Sequence, residues 1–338
     1  MSQILMRLTR RYALLKDRTG VNLQPLLLAN LSKTSTIKGV FNPQPAICPG
    51  ANFERNLEND GYILTYHRKD GGQFKLKKTK YAYLDLIKEL ALTDFKLKYQ
   101  GSILGYLWSL AKPLALFMVL YFVFTRFIRL GSSIEHYPTY LLLGIVIWGF
   151  FTEITATSVD AIVGRGDLIR KVFFPRVVLV VSKGAASLIT FSLNLFVVLT
   201  FIVITGVTVH AKALLVPFLI LEIFILATGI ALILSSLFVR FRDVSHIWEV
   251  ALQIFFYATP ILYPVSLVPP HLAKLLMLNP LAQMIQDSRF LLITKQSTTA
   301  WQVLSWKYVW IPYALPFIIL AFGYWFFQKA AVKFAEEI

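Results

Sequence analysis

Residues 211–246, AKALLVPFLILEIFILATGIALILSSLFVRFRDVSH, decide the fold. Between Lys212 and Arg240 the only ionisable side chain is Glu222. A hydrocarbon core about 30 Å thick needs roughly 20 apolar residues in one helix, and this run exceeds that. It is apolar all round rather than on one stripe, as a membrane span is. Working outward, comparable runs fill the chain from Ser109 to Phe327. Six segments qualify, near 109–130, 137–160, 177–205, 212–238, 247–263 and 308–328. The fifth is short at its far end, where Pro260 and Pro264 interrupt it. The pattern predicts an all-α integral membrane protein with six transmembrane helices.

Charge gives the orientation. The chain is 57% hydrophobic yet carries a formal charge of +16, from 34 Lys and Arg against 18 Asp and Glu. Lys and Arg favour the cytoplasmic side in short loops. About half of them precede the first span. Arg165, Arg170, Lys171, Arg176, Arg240, Arg242, Lys329 and Lys333 then fall on the same side as that segment. Both termini are therefore expected in the cytoplasm. Clustered cations also serve nucleic-acid binding, but here they flank spans. Topology and the anionic headgroups of membrane lipids account for them, and no nucleic-acid partner is expected. Cys48 is alone, which excludes an intramolecular disulfide and a cysteine metal cluster. The five histidines show no ligand spacing, so no metal site is expected. Met1–Arg18 is basic but lacks the continuous apolar core of a signal peptide.

Four regions follow from composition. Residues 1–75 are polar, basic and rich in turn formers, and read as a poorly ordered cytoplasmic extension. A strand pair is expected around Tyr62–Tyr66 and Gln73–Leu76, joined at Asp70-Gly71-Gly72. Residues 76–108 hold an N-terminal amphipathic interface helix over 81–99. There Leu84, Ile87, Ala91 and Phe95 form an apolar row, and Asp85, Lys88, Glu89 and Lys96 lie opposite. Directly before a span, that pattern suits a helix lying in the membrane surface. Residues 109–330 form the six-span domain, and 331–338 a cytoplasmic tail. Residues 260–307 are too apolar for a solvated loop. They contain two short apolar stretches separated by Asn279-Pro280. Irregular backbone at membrane depth needs cover from protein or a water-filled cavity, so re-entrant outer half-helices are expected between spans 5 and 6.

Two connectors on the basic side stand out: GRGDLIRKVFFPR (164–176) and VRFRDVSH (239–246). The first mixes Leu168, Ile169, Val172, Phe173 and Phe174 with its charges. An apolar ridge on a basic turn fits docking into a groove of a partner. Topology for the charges and the membrane surface for the apolar residues is the plainer account.

The stretches LTDFKLKYQGSILGYLWSLAKPL (92–114), LIRKVFFPR (168–176), VRFRDV (239–244), Pro260-Ile-Leu-Tyr-Pro264 and NPLAQMIQDSR (279–289) occur in an order that resembles the permease subunit of type-2 ABC exporters. The branch is the one that exports O-antigen, capsule and teichoic acid. The resemblance covers roughly residues 80–330. It implies a homodimer of permeases with two nucleotide-binding ATPase subunits and a lipid-linked glycan substrate. It also implies ATPase coupling through Leu168, Ile169, Arg170, Lys171, Phe173, Phe174, Pro175 and Arg176, with Arg240, Arg242 and Asp243 as a second contact. Pro260, Pro264, Asn279, Pro280 and Arg289 match the re-entrant region. Aromatic faces let a glycan slide without fixed hydrogen bonds. The resemblance places the first and fifth spans along the channel, which favours Tyr106, Trp108, Tyr121 and Tyr257 as the substrate path.

No GxxxxGK[ST] phosphate loop occurs, nor any Gly-Lys pair. The chain is expected to be no enzyme and to hold no cofactor, with ATP and Mg on the partner ATPase. Exporters of small hydrophobic drugs or lipids share the topology. A membrane glycosyltransferase or polymerase would need a close acidic pair, which the membrane half lacks. A secondary transporter would show repeated halves. Glu222 reads as a proton relay or as a structural carboxyl, protonated or hydrogen-bonded.

Overall fold

The computed structural model describes residues 52–58, 61–67, 73–77, 82–102, 104–129, 134–171, 174–208, 211–332 and 334. It divides into two compact units, Met1–Ala82 with Asp167–Pro175, and Tyr83–Gly166 with Arg176–Ile338.

The first unit holds an antiparallel sheet of β1 (Asn52–Glu58), β2 (Gly61–His67) and β3 (Gln73–Lys77), in the order β1-β2-β3. The expected strand pair is β2–β3, with Tyr66 opposite Phe74. The turn 68–72 lies outside the described residues. β1 adds a strand that was not anticipated, pairing Leu57 with Tyr62. Its sequence NFERNLE is largely polar, so its alternation of Phe53, Arg55 and Leu57 gives only a faint period of two. The all-α expectation is corrected by this sheet. Strands thus occupy part of the segment 1–75, and residues 1–51 lie outside the described residues. The same unit carries most of a short helix, α4 (Gly166–Lys171).

The second unit is helical. The expected interface helix is α1 (Ala82–Tyr99), with Asp85 in its first turn and Lys96 and Lys98 in its last, complementing the helix dipole. Leu90, Ala91 and Tyr99 are buried, while Asp85, Lys88, Glu89 and Lys96 are exposed. The chain then turns through Gly101 and Gly105 (φ 79° and 47°), in the left-handed region that glycine enters without penalty.

Helix α2 (Leu107–Phe122) continues as a π-helical turn, Val123–Phe127. α3 (Tyr137–Ser158), α5 (Val177–Ile204) and α6 (Val216–Arg240) follow, and α11 (Trp310–Ala331) ends the bundle. Five helices among the described residues are long and apolar enough to cross a membrane. The expected fifth of six spans is α7 (Val244–Ala258), of 15 residues, or about 22 Å at 1.5 Å per residue. It stops at Thr259, whose backbone is extended, directly before Pro260. The sequence-based span count of six therefore becomes five full-length helices and one short one.

Burial ranks the helices. For α3, 72% of its apolar window is buried and for α6 61%, against 11% for α2 and 22% for α11. α3 and α6 are the centre of the bundle. α11 packs closely along α6, and their backbones meet at Gly229 and Gly323. A Cβ on Gly229 would stand 2.7 Å from the Leu320 nitrogen. Small residues permit this close approach, where van der Waals packing drives helix association.

Beyond α7, α8 (Pro270–Met277) and α9 (Pro280–Leu292) form two short helices, followed by α10 (Ala300–Val303). The break between α8 and α9 falls at Asn279, whose side chain accepts from the Leu281 N–H and caps α9, with Pro280 at its first turn. Val265, Ala273, Met277, Ala300, Leu304 and Val309 form a small apolar core under this region.

Candidate functional site

Functional chemistry collects at two ends of the bundle. At the basic end α2 begins, α3 stops, α5 begins and α6 stops.

The first connector there is α4, preceded by a 3₁₀ turn, Val163–Arg165. Leu168 and Ile169 are half-buried on it, and Arg170 and Lys171 complete it. Phe173 lies outside the described residues. Phe174 is half-buried, Pro175 is exposed, and the Arg176 guanidinium lies 5.8 Å from the Phe334 ring. In the second connector Arg240 and Arg242 are exposed and lie over the rings of Phe241 and Phe238, at 5.4 and 5.1 Å. Asp243 is exposed at the start of α7 and makes no side-chain cap bond.

Asp94 was not singled out from the sequence, yet the geometry centres on it. Arg165 donates from Nη2 to Asp94 Oδ1 and from Nη1 to Ser182 Oγ at 3.3 Å. Lys183 Nζ stands 3.9 Å from Asp94 Oδ2. The Arg165 and Asp94 side chains are only 12% and 13% exposed, so this pair is not a solvent-screened surface bridge. A second bond ties α1 to α3, from Lys98 Nζ to Glu153 Oε1 at 2.7 Å. Burial works against the Lys98 ammonium, but Glu153 and Tyr99 beside it more than offset this and raise its pKa above the ordinary lysine value. One sequence signal would have found Asp94. It follows Asp85 by nine residues, about two and a half helical turns, and so sits opposite the polar face of α1.

The four aromatic residues expected on the substrate path do not share one wall. Tyr106 stacks on Phe95 at 5.1 Å and meets Tyr99 edge-on at 5.5 Å. Trp108 lines a cleft of about 260 Å³ between α2, α3 and α5, with Lys98, Lys112, Trp148, Glu153, Thr190 and Asn194. Tyr121 stacks on Phe117 and Tyr137, at 5.6 and 6.4 Å. Tyr257 is 69% exposed on α7, beside Phe256.

At the opposite end, Arg289 is fully buried. Its guanidinium donates to the carbonyls of Tyr140, Pro260 and Ile261 at 3.1, 2.8 and 2.6 Å, and lies 3.5 Å from the centroid of the Tyr140 ring. Tyr137 donates to the Leu262 carbonyl at 3.3 Å. Ending α7 leaves carbonyls without helical partners, and buried carbonyls require donors; Arg289 and Tyr137 supply them. Gly144 makes room, because any Cβ there would collide with the Arg289 guanidinium. Arg289 thus fastens the break at Pro260 to α9 and to α3. Pro264 begins the 3₁₀ turn Val265–Leu267.

The far side of α9 carries a second polar group. Asp287 accepts from Gln283 Nε2 at 2.8 Å and from the Tyr313 hydroxyl at 2.6 Å. Glu222 is buried on α6.

Residues 85–293 match the family model described as ABC-2 type transporter. The chain is 31% identical over 253 residues to an O-antigen export system permease protein, RfbA, of Klebsiella pneumoniae, covering 75% of this chain and 94% of that one. It is 32% identical over 213 residues to the protein of the same name in Myxococcus xanthus, covering 62% and 81%. To the polysialic acid transport protein KpsM of Escherichia coli it is 21% identical over 207 residues, covering 60% and 79%.

Proposed function

Since the chain belongs to the ABC-2 type transporter family, we propose that it is the transmembrane subunit of an ATP-binding-cassette exporter of lipid-linked polysaccharide, of the O-antigen, capsule or teichoic acid type. The observation that carries this is the near-complete coverage of a relative named for O-antigen export, 94% of its length at 31% identity. The polysialic acid relative points to the same substrate class. The chain is a multi-pass membrane protein and a transporter permease rather than a catalyst. ATP and Mg belong to a separate ATPase subunit, in keeping with the missing phosphate-loop motif.

In this reading two permeases pair and two ATPase subunits dock on their basic ends. α7 completes a sixth crossing together with the irregular backbone after it. Both termini then lie in the cytoplasm, and α8 and α9 form the re-entrant pair in the outer leaflet. Leu168 to Arg176 enter the ATPase, and Arg240, Arg242 and Asp243 make the second contact. Tyr106, Trp108, Tyr121 and Tyr257 belong to the glycan's path, and their separation fits a long route rather than one pocket.

Co-purification with candidate ATPase subunits tests the reading. A stable complex is expected, with crosslinkers at Arg170 and Arg242 reaching the ATPase. A complex in which neither position crosslinks would refute the coupling assignment. Robust ATP hydrolysis by the purified chain alone would refute the division of labour.

A further inference from the structure

Asp94 belongs to α1, yet both of its partners flank the connector that carries α4. Arg165 is the last residue before that helix, and Lys183 lies in the second turn of α5, just after the connector. Ser182, fully buried, receives the second Arg165 hydrogen bond at 3.3 Å and itself donates to the Leu179 carbonyl at 2.9 Å. One carboxylate therefore joins the interface helix to the chain entering the connector and to the helix leaving it. Among the described residues its Oδ2 has no hydrogen-bond partner, and the Lys183 ammonium stands 3.9 Å from it.

We propose that Asp94 is a positioning residue for energy coupling. It locks α1, the turn at Arg165 and the first turns of α5 into one rigid body, so that displacement of the connector is passed into the bundle rather than absorbed. The inference rests on the functional reading above, in which the connector docks on the ATPase.

The physical ground is the environment of the pair. Loose surface ion pairs rearrange at little cost. A largely buried pair with a second cation in reach does not, because parting it strands charge away from water. Motion of Arg165 must therefore carry Asp94 with it, and Asp94 is anchored to α5 through Lys183. Lys98 and Glu153 extend the same body to α3. Without Asp94 the turn at Arg165 would keep its bond to Ser182 but lose its tie to α1.

The test uses the full permease–ATPase complex in vesicles, measuring polysaccharide exported per ATP hydrolysed. Asp94→Asn should leave assembly and hydrolysis in place while that ratio falls about tenfold, within the usual range of coupling energies. Asp94→Glu should recover most of it. Arg165→Gln should act like Asp94→Asn with the added loss of the Ser182 bond, and the double variant should be no worse than Arg165→Gln alone, since the Asp94–Arg165 interaction is already gone in it. Ser182→Ala is the mild variant for the case in which Asp94→Asn does not assemble, and should lower the ratio about twofold through one lost hydrogen bond. An unchanged ratio in the assembled variants, or losses that add in the double variant, overturns the proposal. Failure of the wild-type chain to bind any ATPase overturns the functional reading instead.

Discussion

A buried arginine normally finds a carboxylate. Arg289 instead spends its donors on the backbone carbonyls of Tyr140, Pro260 and Ile261, with the Tyr140 ring against its face. The fork geometry is what matters, because three acceptors in different directions suit a guanidinium and not a single ammonium. Arg289→Lys should therefore destabilise the chain by about 3 kcal/mol, as expected for a buried charge stripped of its partners. Gly144→Ala should cost about 1–3 kcal/mol by overpacking against the same group. Thermal unfolding in detergent measures both, and a wild-type midpoint for either would contradict the clasp. The sequence reading marked Arg289 through the NPLAQMIQDSR stretch but gave it no partner. Its acceptors are backbone atoms 28, 29 and 149 residues away, and nothing in residue identity announces a carbonyl. Asp94 escaped for a different reason, since a lone carboxylate within a recognised stretch draws attention only when its helical face is worked out.

At the scale of elements, hydropathy located the long helices to within a few residues at most ends, because length and polarity alone define them. α7 shows the limit. Its apolar run continues past residue 258, but Pro260 and Pro264 lack N–H donors and the helix cannot follow. The pair α8–α9 was legible from the Asn279-Pro280 break, whereas β1 was not, its residues being mostly polar. Asn279 is the hinge of that pair, and Asn279→Ala should remove the cap at about 1 kcal/mol. The loss should also loosen the small core of Val265, Met277 and Leu304. Faster amide hydrogen exchange confined to 270–292 is the expected readout, and uniform exchange across the chain would argue against a local role.

For the molecule as a whole, topology is the property most open to test. With Cys48 replaced by serine, single cysteines at Lys212, Arg242 and Lys274 can be probed from outside intact cells with an impermeant maleimide. Lys212→Cys and Lys274→Cys should label and Arg242→Cys should not. Labelling at Lys212 with protection at Lys274 would mean that α7 and the turn after it fail to cross. Lysine and arginine placement is the ground for this expected orientation, since loop charge follows the membrane side. The sheet of β1 to β3 was only partly visible, because short polar strands have no lipid environment to impose a pattern on them.

The meeting of Gly229 with Gly323 has a consequence for movement. Where two rods touch bone to bone, no cushion of side chains lies between them to shear or compress. Lengthwise slip of α6 against α11 would bring a side chain of one against the backbone of the other, where no room exists even for a Cβ. Whatever opens during a transport cycle, the seam that parts must run somewhere other than between these two.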